Sequence, residues 1–82
     1  MNLKYILSHL EEAEEELRNT VRTIHRDLNY DEGEFYVAMQ HIYNHLNSAW
    51  NSRNALPKQI VEESYEDFRK WRQYPEDIDM SA

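Results

Sequence analysis

The chain has 82 residues, with 16 acidic and 9 Lys or Arg side chains for a formal charge of −7. It has no cysteine, which excludes disulfides, thiolate metal sites and a cysteine nucleophile. The acidic balance argues against nucleic acid as a partner, because phosphates need a basic footprint.

A chain this short buries only about 60–65% of its unfolded surface. One thin core in a single helical domain over 1–82 is therefore expected, with oligomerisation as a source of extra stability. One Gly, two Pro and the absence of alternating Val, Ile and Thr runs point to an all-α class. The opening string MNLKYILSHLEEAEEEL has too short an apolar run and too many glutamates for a signal peptide. No run of about 18 apolar residues is present to span a membrane. A cytoplasmic location is the expectation, and lack of cysteine is compatible with it.

The first expected element is one long helix over residues 3–28. Leu3, Ile6, Leu7, Leu10, Ala13, Leu17, Val21, Ile24 and Leu28 recur in steps of three and four, a continuous stripe of the helical period. Asn2 is its expected N-cap. Glutamates precede Arg18, Arg22 and Arg26, the order that the helix dipole favours.

Residues 29–31 make the turn. Asp31 and Glu34 then have capping-box spacing for a second helix over 32–53, antiparallel to the first. From 35 to 52 this helix carries no Asp, Glu, Lys or Arg. On a wheel of about 100° per residue, Phe35, Met39, Ile42 and Leu46 centre one face. Tyr36, Tyr43 and Trp50 line one flank, and Ala38, His41, His45, Ala49 and Ser52 the other. An apolar arc this wide serves two neighbours.

The C-terminal segment offers two starts. Pro57 suits a first helical turn, while Ser64 and Asp67 give a capping-box variant for a shorter helix over 65–73. The break near Ser64 is preferred, with 57–62 as a turn or short helix. The whole reads as a long helical hairpin plus a shorter C-terminal helix, three-helix bundle-like. Residues 75–82 form an acidic tail whose Ile78 and Met80 are candidates to fold back.

His41 and His45 are the sharpest chemical signal, since i, i+4 spacing puts both imidazoles within reach of one divalent metal. Glu34 lies on the same flank as a candidate oxygen ligand, and His9, His25 or a helix-1 glutamate would complete a site. The pair lacks the glutamate of HExxH and the paired Glu-x-x-His of di-iron bundles. Histidines hydrogen-bonded to neighbouring helices are the plainer reading, with no cofactor. Ser48 or Ser52 near His45 matches a triad in composition only, so no enzyme is expected.

Tyr36, Tyr43 and Trp50 read as a packing seam against the C-terminal segment or a second subunit, with Phe68 and Trp71 as further anchors. On helix 1, Glu11, Glu14 and Glu15 share a side with Arg18, Arg22 and Arg26. Two antiparallel copies about a two-fold near Leu17 would set each acidic half against a basic half. The plainer reading is exposed i, i+4 pairs worth about 0.2–0.5 kcal/mol each.

The strings HIYNHLNSAWNSRN (41–54) and DFRKWRQYPEDIDM (67–80) resemble a family of small uncharacterised bacterial helical proteins. The resemblance implies that the two strings belong together by packing, and it carries no activity. A helical interaction module, homodimeric, is the functional expectation. The alternatives are a metal-binding protein using His41 and His45, and an acidic antitoxin-like regulator of a basic partner.

Overall fold

Two long helices and two short ones follow one another in the computed structural model, which describes residues 1–81. They are α1 (Leu3–Arg26), α2 (Glu32–Asn51), α3 (Pro57–Glu62) and α4 (Tyr65–Trp71). The all-helical class and the long hairpin are as the sequence predicts, and the described residues contain no strand. Ala82, the last residue of the acidic tail, lies outside the described residues.

Each break has a local cause. The backbone N–H of Asp27 closes α1 on Thr23 O at 2.9 Å, and the Asp27 carboxylate accepts from Asn29 N at 2.9 Å in the turn. Asp31 caps α2 as expected, its Oδ1 accepting from Glu34 N at 2.8 Å. Beyond α2 both candidate starts are used: Pro57 opens α3, and Ser64 caps α4 by accepting from Asp67 N at 3.1 Å. Glu63 separates them at φ 36, a left-handed conformation that favours glycine.

Asn2 holds the expected N-cap position, its carbonyl accepting from Ile6 N at 2.9 Å, but its side chain is used elsewhere. Its side chain makes no N-cap bond to α1. It donates instead to the carbonyls of Ser52 (3.2 Å) and Ala55 (2.7 Å), while its backbone N–H donates to Arg53 O at 2.8 Å. The start of α1 is thus clasped to the end of α2, where carbonyls lack intrahelical partners.

α1 packs chiefly on α2, and α4 on α2. Contacts between His9 and His45, and between Glu16 and His41, set the antiparallel register. That register puts Ile6 level with Ala49 and Ala13 level with Ile42. The single stripe expected on α1 therefore divides. Ala13 and Thr20 are buried on the side facing α2, whereas Leu3, Leu7, Leu10, Leu17, Val21 and Ile24 stay exposed.

Among the described residues the buried apolar core consists of Ala13, Ile42, Ala49 and Trp71. The exposed surface is 6650 Å² for 10.0 kDa, whereas a compact monomer of that mass exposes about 5,200 Å². The radius of gyration is 14.6 Å, against about 12 Å for a compact chain of this length. No helix among the described residues is long and apolar enough to cross a membrane.

Candidate functional site

The hairpin has two unlike sides. On the side that carries α4, polar groups of α2 are satisfied by the C-terminal segment. Asn47 Nδ2 donates to Arg72 O at 2.9 Å, and Asn51 Nδ2 donates to Trp71 O at 2.9 Å and Gln73 O at 2.7 Å. These amides cap carbonyls that the end of α4 leaves without partners. Trp71 is 5% exposed, and its ring meets Tyr5 edge-on at 6.1 Å. The Tyr5 hydroxyl donates to Glu63 Oε1 at 2.9 Å. Burial, then that bond to a carboxylate, pushes the phenol well above its ordinary range.

A cavity of about 170 Å³ on this side is lined by His9, His41, His45, Ser48, Phe68 and Arg72. His9 Nδ1 lies 3.0 Å from His45 Nδ1. One nitrogen must carry the proton and the other accept it, because two N–H groups repel at this distance. Glu12 Oε2 stands 3.8 Å from His45 Nε2 and favours a proton there. This assigns His9 Nδ1–H as the donor and His45 Nδ1 as the acceptor. Burial, and then the neighbouring His45, lower the His9 pKa, with Glu63 and Glu12 opposing.

Of the metal ligands named from the sequence, His41 and His45 both line this cavity with different nearest partners. His41 Nδ1 is 3.5 Å from Glu16 Oε1, while His45 turns to His9 and Glu12. Glu34 sits in the first turn of α2, about 10 Å along the axis from His41. Among the described residues, no group of three or more His, Cys, Asp or Glu side chains converges as metal ligands. Two nitrogens on one tetrahedral ion at about 2.0–2.1 Å would stand about 3.3 Å apart, so His9 and His45 at 3.0 Å need only a small shift to share one.

The aromatic anchors serve several contacts. Tyr43 lies 6.1 Å from Tyr74, ring to ring. Trp50 Nε1 donates to Asp77 Oδ1 at 2.7 Å, with the Arg53 guanidinium 3.7 Å above its ring and 3.2 Å from Asp77 Oδ2. The indole bond first, and Arg53 with it, hold the Asp77 carboxyl below its usual range. The acidic tail is thus anchored through Asp77. Phe68 carries the Arg72 guanidinium at 4.5 Å, and Tyr36 is 67% exposed.

The opposite side of the hairpin is apolar and bare. At about 100° per residue, Leu7, Leu10, Leu17 and Val21 lie a quarter-turn from Ala13 and Thr20, away from Tyr5 and Glu12. On α2, Phe35, Met39 and Leu46 lie a quarter-turn from the flank facing α1, away from Asn47 and Asn51. Because the helices are antiparallel, these two stripes fall on the same side. Leu3 is 65% exposed, Leu17 53% and Val21 49%. Glu14 alone interrupts the α1 stripe, and exposed apolar faces of this size are characteristic of interaction sites.

Two parts of this arrangement have sequence signals that composition alone leaves unread. Asn47 and Asn51 are four apart in an uncharged helix, the spacing of an amide pair serving one neighbour. The bare stripe advances by alternating fours and threes, a heptad seam distinct from the Ile6 and Ala13 line. No protein-family model, curated protein or solved structure matches the chain.

Proposed function

We propose that this protein is a helical interaction module of the cytoplasm that acts by protein–protein contact and is itself homodimeric. The bare apolar face of α1 and α2 carries this reading. A monomer leaves roughly 1,400 Å² more surface in water than a compact chain of its mass, given 6650 Å² exposed. A standard interface removes about 800 Å² per partner. α1 is 24 residues and so about 36 Å long. With α2 alongside at about 10 Å, the face spans roughly 700 Å², within the range of about 600–1,000 Å² per partner that standard interfaces cover. Binding would bury aliphatic and aromatic groups, while rim charges fix orientation.

Sedimentation over a concentration series tests the reading. A species of twice the 10.0 kDa chain mass is expected, reverting to monomer on Leu17→Glu. A monomer at every concentration would remove the homodimer.

The His9–His45 separation of 3.0 Å supports a second reading, binding of a divalent metal across the hairpin. In it His45 pairs with His9 rather than with His41. Untagged protein should then show a rise in melting temperature with added zinc or nickel that His9→Ala abolishes. No shift with either metal would remove it.

A further inference from the structure

We propose that the two copies of the homodimer meet face to face with their α1 helices antiparallel, forming a four-helix bundle about a two-fold axis near residues 15 and 16. This rests on the homodimer reading above and specifies its geometry. The bare seam of α1 runs Leu3, Leu7, Leu10, Glu14, Leu17, Val21, Ile24 and, just past the helix, Leu28. Its alternating steps of four and three are the same when read backwards. A second copy running the opposite way therefore meets it layer by layer. Leu3 stands against Leu28 of the second copy, Leu7 against Ile24, Leu10 against Val21, and Glu14 against Leu17.

Charge decides between the two directions. A parallel pair would set Glu14 against Glu14 in the seam and leave Glu11 and Arg18 beside Ile6 and Ala13 of the second copy, without charged partners. Like charges at such positions oppose association. The antiparallel pair sets Glu11 beside Arg18 of the second copy twice along the outer edge, and brings Glu14 near that same guanidinium. Within one chain Arg18 holds Glu14 only loosely, at 3.7 Å with both side chains more than half exposed. Both are thus free to exchange partners. Glu11 and Arg18 are two turns apart and cannot pair within one helix.

The same axis carries α2 over α2 of the second copy. By the hairpin register it crosses α2 near Met39 and Gln40. Tyr36 then comes level with Tyr43 of the second copy, giving an aromatic neighbour to a ring that one chain leaves 67% exposed. The two α4 segments and their histidine cavities face outward, at opposite ends of the bundle's short axis. Partner contact at the seam and chemistry at the histidines are therefore spatially separate.

The chain has no cysteine, so introduced thiols report the arrangement directly. Leu7→Cys and Ile24→Cys are prepared separately, checked for helicity and mass, then oxidised alone and mixed. Efficient disulfide dimer in the mixture, with little from either variant alone, is expected. Self-linking of Leu7→Cys, or no linking in a protein that sediments as a dimer, would overturn the antiparallel face while leaving the homodimer standing. A monomer by sedimentation would overturn both. Charge reversal gives an independent reading that spares the core. Glu11→Lys and Arg18→Glu should each weaken dimerisation about tenfold, and the double reversal should return it to within about threefold of the parent. Failure of the double variant to recover would also overturn the pairing.

Discussion

On the side of the hairpin that carries α4, Asn47, Asn51, His9, His45 and the Trp50 indole each find a partner. On the opposite side Leu3, Leu7, Leu10, Leu17, Val21 and Ile24 remain about half exposed or more. The first side is short of apolar burial yet specified by directional bonds, which tolerate little misplacement. The second has apolar area without a partner, and apolar attraction is non-directional. One chain thus satisfies the polar groups on its α4 side internally and leaves much of its hydrophobic area exposed on the other.

The largest expected effect breaks the closed side. Trp71→Ala removes the one large buried apolar side chain of α4 and should cost about 3–5 kcal/mol. Chemical denaturation followed by helicity should show an earlier midpoint, with the C-terminal segment losing hydrogen-exchange protection first. On the bare side, Leu17→Glu should cost about 1.5–3 kcal/mol per protomer of dimer stability. In a lone chain the same change at a half-exposed site costs about 0.5 kcal/mol or less. Light scattering and denaturation together therefore separate the two sides.

Asn51→Ala leaves the carbonyls of Trp71 and Gln73 without their amide donor and should cost about 1–2 kcal/mol. Its effect should be confined to docking of α4, with association through the other face retained.

A smaller effect is expected from pH. His9 has a lowered pKa in the folded state, so the unfolded chain binds the proton more readily. Stability from this group is fully present above about pH 6.5, the ordinary histidine value. It declines as pH falls below that value, until the lower folded pKa is passed. Thermal melts between pH 7.5 and 5 should show this decline, and His9→Gln should flatten it. The smallest expected change concerns Tyr30, whose buried hydroxyl has no hydrogen-bond partner among the described residues. Tyr30→Phe should be neutral or raise stability by up to about 1 kcal/mol.

Much of the hairpin is legible in the sequence because its signals are local. Asp31 at its cap position, Pro57 at a first turn and Ser64 before Asp67 each act within four residues. The lack of charge from 35 to 52 is also explained: α1 covers the Ala38, His45 and Ala49 flank of α2, while α4 takes up Asn47 and Asn51. The division of the α1 stripe is harder to read. Periodicity registers which residues are apolar, and Leu10 and Ala13 both fit a helical stripe. Which of them faces α2 depends on how closely the two backbones approach. Small residues at Ala13, Ala38 and Ala49 permit a close approach, so the larger leucines are turned outward. The pairing of His9 with His45, rather than of His41 with His45, likewise follows from interhelical register. Spacing along one helix does not encode it.

The most direct measurement is an isotope-filtered NOE experiment on an equal mixture of labelled and unlabelled chain, which detects only contacts between copies. Intermolecular contacts between the Leu10 and Val21 methyl groups are expected, and none from Ile42 inside the hairpin. A concentrated sample with no intermolecular contact from any seam residue would contradict this arrangement.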